Sequence, residues 1–146
     1  GAGDPWFDAL QKPDYYPDPS VFGIVWTILY VMMGLAFALV CSAWGAKGRG
    51  LAIGAFLVQF VMNLAWSPLF FMQHEISYAF YLLVALNVMI LITIVLFYRV
   101  RKMAAVLLIP YIAWTAFAGY LNYDIMQMNP EADGSDTTGA VQRYEL

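Results

Sequence analysis

Charge is what this sequence has least of. Lys and Arg number seven and Asp and Glu ten, 12% of 146 residues, where soluble domains carry about 25%. With 62% hydrophobic and 17% aromatic residues, the chain holds more apolar surface than one small core encloses, because a domain of this size must still show polar groups to water. An ordinary soluble globule is excluded, and the surplus has to face lipid. Seven cations in a chain of net charge −3 give no basic surface for phosphates, so no nucleic-acid partner is expected. A single cysteine, Cys41, and a single histidine, His74, make neither an internal disulfide nor a four-ligand zinc site. No metal and no required cofactor is expected.

Long apolar runs are there instead. Four of them, near 20–44, 51–73, 77–98 and 104–128, are long enough to cross a hydrocarbon core of about 30 Å, which takes roughly 20 helical residues. Runs such as Leu82 to Phe97 are apolar on every face, unlike the alternating strands of a membrane barrel. The fold class is therefore all-α, a polytopic transmembrane helical bundle with four spans and antiparallel neighbours joined by short loops. Lys47, Arg49, Arg99, Arg101 and Lys102 fall on one side and only Lys12 and Arg143 on the other, which makes the first side cytoplasmic by the positive-inside rule. None of the spans carries an acid or base near its centre, Asp124 lying about a turn inside the last. Intramembrane carboxylates are the usual handles of proton-coupled exporters, so that class is disfavoured.

Residues 1–129 are expected to form the bundle, with 1–19 as an interfacial lid segment, and 130–146, rich in Glu, Asp, Gly, Ser and Thr, to be a disordered tail. Asp4 and Pro5 suit the start of a short helix with Trp6, Phe7 and Leu10 on its apolar face and Pro13 as its stop. That segment serves as a membrane-surface anchor or as a lid. Within the spans, Trp26 and Tyr30 share one helix face, as do Gln59, Asn63 and Trp66, followed by Ser67-Pro68, where proline removes a backbone donor. Pro110, Trp114, Ala118 and Asn122 repeat every four residues in the last span. Gln59 and Asn87 read most simply as interhelical hydrogen-bonding groups. Trp114 lies about ten residues, roughly 15 Å, from either end of its helix, too deep for an interfacial belt. A pocket for a flat apolar ligand accounts for it. His74, a lone loop histidine beside Glu75, is a weak candidate for haem iron.

The blocks Trp6-Phe7-x-x-Leu10-x-Lys12-Pro13, Val21-Phe22 to Trp26-Thr-Ile-Leu-Tyr30, Asn63-Leu-Ala-Trp66-Ser-Pro68-Leu-Phe70-Phe71 and Pro110-Tyr111-x-x-Trp114 to Leu121-Asn122-Tyr123 resemble the TspO/MBR family, the tryptophan-rich sensory or translocator proteins. The resemblance implies a five-helix membrane bundle that binds porphyrins such as protoporphyrin IX, synthetic isoquinoline and benzodiazepine-type ligands and, in animals, cholesterol. It implies a pocket built from Trp26, Asn63, Trp66, Trp114, Ala118 and Leu121, closed by Phe7 and Pro17. For some bacterial members it implies light-dependent protoporphyrin breakdown on a tryptophan pair matching Trp26 and Trp114. It places the protein in a bacterial envelope membrane or the mitochondrial outer membrane.

Three features depart from the family pattern. The family has a helix ahead of the Trp-Phe block, so this chain is expected to lack it, to have lost it by cleavage or to receive it separately. Phe7 stands where the family has Tyr, and no Lys or Arg follows Tyr123 within five residues, so the sterol-binding pattern is incomplete. The function expected is an integral membrane receptor or transporter-like protein for porphyrins and other flat hydrophobic ligands, in tetrapyrrole transport or stress sensing. The alternatives are a light-dependent porphyrin-degrading enzyme and a purely structural membrane bundle. The expected partners are a porphyrin or similar small molecule, the lipid membrane and a second copy of the chain, through Gly50-x-x-x-Gly54.

Overall fold

Asp18 and Pro19 set the first long helix: the Asp18 carboxylate accepts the Ser20 N–H at 3.1 Å, and Pro19 occupies a first-turn position where no N–H is needed. The computed structural model describes residues 5–134. Its helices are α1 (Pro5–Ala9), α2 (Pro19–Cys41), α3 (Arg49–Ser67), α4 (Ile76–Val100), α5 (Lys102–Leu107) and α6 (Ile109–Met128). No strand occurs among the described residues. Four stretches, Pro19–Cys41, Arg49–Met72, Ile76–Val100 and Lys102–Met128, are long and apolar enough to cross a membrane.

Two prolines and a glycine shape the bundle. Gly48, at φ +83°, lets the chain turn into α3 through a left-handed conformation that side chains resist. Pro68 has no N–H to bond the preceding turn, and the helix widens there into a π turn, Pro68–Met72, closed by Gln73 N–H to Pro68 C=O at 3.0 Å. The backbone donor missing at Ser67-Pro68 is accommodated by this turn. Pro110, two residues after Leu108, likewise lacks an N–H for the preceding turn, and it stands in the first turn of α6, where the expected single span 104–128 is divided into α5 and α6.

The core runs along the cation-rich half of the bundle: Met33, Ala36 and Val40 of α2, Ala52 and Phe56 of α3, Ile90 and Phe97 of α4 and Tyr111 of α6 are buried together. Helix α4 packs extensively against α3 and α6, whereas α2 rests mainly on α5 and α3 and only lightly on α6. Ile24, Ile28, Val31 and Leu35 of α2 point outward, as a lipid-facing surface requires. At the cation-rich end, Arg49 donates to Cys41 C=O at 2.8 and 3.0 Å and Arg101 to Leu39 C=O at 2.7 Å, so both guanidinium groups cap carbonyls left open at the end of α2.

The opposite end resolves two expectations. Trp6, Phe7 and Leu10 are buried against Phe70, Ile76, Ile125 and Ala132, so the described part of the N-terminal segment spends its apolar face on the protein, as the lid alternative expects. Asp4, expected to cap α1, lies outside the described residues. The start of the expected disordered tail is ordered: Pro130–Ala132 forms a 3-10 turn, Asp133 accepts the Ser77 N–H at 3.1 Å, and Gly134 N–H reaches His74 C=O at 2.6 Å. The first of these bonds satisfies an open N–H at the start of α4, and the two together tie the segment to that end of the bundle. The rest of that tail, 135–146, lies outside the described residues.

Candidate ligand-binding pocket

The face foreseen on α2 continues by fours, and Phe22, Trp26 and Tyr30 form one wall of a cavity of about 350 Å³. Asn63 and Trp66 of α3 supply a second wall, and Trp114, Thr115 and Ala118 of α6 a third. Leu83 and Leu86 of α4 line it too, and Phe7, Tyr16 and Pro19 reach it from the lid side. Among the described residues no carboxylate, amine, guanidinium or imidazole lines it. Its contents must therefore be bound by dispersion, ring stacking and a few neutral hydrogen bonds.

The aromatic rings are braced against one another. Trp26 lies 5.5 Å from Tyr30 and 6.4 Å, edge-on, from Tyr111; Trp114 meets Phe22 edge-on at 5.7 Å. Trp66 is fixed differently: its Nε1–H donates to Asn122 Oδ1 at 3.1 Å, while Asn122 Nδ2 donates to Ile76 C=O at 3.1 Å. That bond ties α3, α6 and the start of α4 at one point.

A polar relay runs behind the cavity. Tyr30 O–H donates to Asn63 Oδ1 at 2.8 Å, Asn63 Nδ2 donates to Tyr111 Oη at 3.0 Å, and Tyr111 O–H donates to Gln59 Oε1 at 2.5 Å. Gln59 thus acts as the interhelical group it was expected to be. Asn87 does as well, accepting the Thr115 hydroxyl at 2.9 Å and donating to Thr115 C=O at 3.2 Å. With Tyr111 fully buried, such satisfied neutral pairs hold helices in a fixed register.

Of the residues singled out in the sequence, Phe7, Trp26, Asn63, Trp66, Trp114 and Ala118 come together around the cavity. Pro17 and Leu121 do not line it: the lid reaches in through Tyr16 and Pro19 on either side of Pro17, and Leu121 is buried in the helix packing instead. His74, also outside the lining, stacks on Trp6 at 4.0 Å with planes 5° apart. Lys12 turns inward, donating to Phe7 C=O at 2.8 Å and Leu10 C=O at 3.2 Å, with its amine 4.5 Å from the Phe7 ring centre. Burial lowers its pKa, against the raising influence of Asp8. Burial also pushes the Tyr16 phenol up to about 12, so the lid's contribution to the cavity is uncharged at physiological pH.

Among the lining residues that the sequence reading did not assign to the pocket are Phe22, Tyr30, Thr115, Leu83 and Leu86, of which Tyr30 was expected on the Trp26 face. Phe22 and Tyr30 were reachable, each lying four residues from Trp26. The two leucines carried no signal that separates them from other apolar residues of α4. Lid closure adds the Tyr15 hydroxyl, which donates to Asp124, and a reciprocal pair in which Gln11 N–H and Asn129 Nδ2 each donate to the other residue's carbonyl oxygen at 2.8 Å.

Comparison with known proteins completes the picture. The chain is 38% identical over 126 residues to the tryptophan-rich protein TspO of Chlorobaculum tepidum, covering 86% of this chain and 80% of that one. It is 35% identical over 131 residues to the translocator protein of Bos taurus, covering 88% and 78%, and 32% identical over 126 residues to protein CrtK of Rhodobacter capsulatus, covering 86% and 79%. The TspO/MBR family matches residues 1–128. With its four apolar spans and this match, the chain is a multi-pass integral membrane protein belonging to the TspO/MBR family.

Proposed function

We propose that this protein acts as a membrane receptor or transporter-like protein that takes a porphyrin, or another flat hydrophobic molecule, into the cavity between α2, α3, α4 and α6. The observation that carries the reading is the convergence of Trp26, Trp66 and Trp114 from three helices on one apolar space under an aromatic lid. Flat rings suit such walls because offset stacking and edge contacts add about 0.5–1.5 kcal/mol per aromatic pair beyond area burial. A volume of about 350 Å³ is at the small end for drug-sized ligands, which favours a planar molecule with its polar groups left at the mouth. The names of the relatives, translocator and sensory protein, accord with carriage or sensing of such a ligand. Titrating protoporphyrin IX into the purified protein should quench tryptophan fluorescence saturably, and Trp114→Ala should weaken the affinity about tenfold or more. Quenching that never saturates, or that is unchanged in the variant, returns the molecule to a purely structural membrane bundle.

A second reading, light-driven breakdown of the bound porphyrin, is favoured by one feature. Trp26 and Trp114, the pair matching the family's reactive tryptophans, line the same cavity. Under illumination the porphyrin absorption of the complex would then decay faster in the wild type than in Trp26→Phe and Trp114→Phe. Self-association belongs to the proposal as well. Neither Gly50 nor Gly54 has anything within 4 Å of where a Cβ would stand, leaving the α3 backbone open to close approach by a second helix.

A further inference from the structure

Trp114 borders two spaces. On one side is the cavity; on the other is a groove of about 510 Å³ on the outer surface, where Val25 and Ile28 of α2 face Pro110, Ala113 and Phe117 of α6. The groove walls are apolar throughout, and α2 and α6 touch only lightly along this seam. The indole between the two spaces is held unlike its counterpart in the opposite wall. Trp66 is pinned by its bond to Asn122, whereas the buried Trp114 Nε1–H has no hydrogen-bond partner among the described residues. Ring contacts to Phe22 at 5.7 Å and Phe117 at 5.5 Å and apolar packing against the core retain it, so turning it breaks no hydrogen bond. The water-facing route is harder to open, because Trp6, Phe7 and Leu10 on the inner face of the N-terminal segment are 2%, 6% and 7% exposed and lifting that segment hydrates all of them.

We propose that the α2–α6 groove is an entry site on the membrane side, taking a flat, uncharged, polycyclic ligand from the acyl-chain phase and passing it to the cavity as Trp114 swings aside. The proposal rests on the reading of the cavity as a ligand pocket. Ala113 lies on the groove side and does not line the cavity, so a bulky side chain there obstructs the route and leaves the destination intact.

The test uses the protein in phosphatidylcholine nanodiscs with protoporphyrin dimethyl ester, which is uncharged and dissolves in the bilayer, followed by rapid-mixing tryptophan quenching and by equilibrium titration. In the wild type the association rate should follow the ester's mole fraction in the bilayer. Ala113→Trp should slow association and dissociation together by about tenfold while Kd stays within about twofold; Ile28→Trp, which narrows the groove from the α2 side, should do the same. Tyr15→Phe, which removes the lid's bond to Asp124, should leave both rates unchanged. Unchanged rates in both tryptophan variants with an intact Kd, or acceleration by Tyr15→Phe alone, overturn the membrane route and spare the pocket. Absence of saturable binding in the wild type overturns the pocket and the route together.

Discussion

Asn63 is bonded to two phenols at once, accepting from Tyr30 and donating to Tyr111, and it also lines the cavity. Removing it leaves the Tyr30 O–H without its acceptor and takes a donor from the Tyr111 oxygen, which keeps its own bond to Gln59, and a buried group left without its partner costs about 1–3 kcal/mol. Asn63→Ala should therefore destabilise the bundle by about that amount in a denaturant titration in mixed micelles. Gln59→Met takes the acceptor from the Tyr111 O–H but also removes an amide nitrogen that has no partner among the described residues, and this offset should make its net cost smaller. At this scale the sequence was informative wherever a residue type was out of place. An indole at mid-span or an amide among leucines needs a reason, and Trp114, Asn63 and Trp66 were legible on that ground. Pro17 was assigned to the cavity by resemblance, yet its neighbours fill the role. Which residue of a lid points inward depends on how the lid seats, and no periodicity governs a segment without regular structure.

The lid and the π turn form one unit. Pro68 widens the end of α3, and Phe70 and Phe71 stand there beneath Trp6 and Phe7: Trp6 meets Phe70 edge-on at 5.6 Å and Phe7 meets Phe71 edge-on at 5.1 Å. Trp6→Ala should release this contact at a cost of about 3–5 kcal/mol. The loss should be confined to the lid, raising amide hydrogen exchange in 5–16 while leaving α4 protected; uniform loss of protection across α4 would contradict that division. The helices themselves were legible, because a run of about 20 apolar residues has few other stable states in lipid. The lid's destination was not, since Trp6, Phe7 and Leu10 would suit a membrane surface as well as a protein one. Pro130–Gly134 was likewise read from composition, which registers polarity but not the Ser77 and His74 partners that order it.

Taken whole, the molecule has a basic end, where Arg49 and Arg101 cap α2, and an opposite end where the lid, the His74 loop and the residues after α6 meet. In a Cys41→Ser background, Asp14→Cys should react with a membrane-impermeant maleimide added outside intact cells, and Ser42→Cys only after permeabilisation; the reverse pattern would overturn the positive-inside assignment. Composition and run length alone determined that this chain is a helical membrane protein, how many spans it has and which of its ends carries the cations. Those properties follow from transfer free energies that each segment obeys independently of its neighbours. The tertiary structure alone decided that three indoles from separate helices enclose one space, that the lid covers it and that Trp114 divides it from the lipid-facing groove. Those facts depend on the rotation of each helix about its axis, which packing between distant residues sets and local sequence does not.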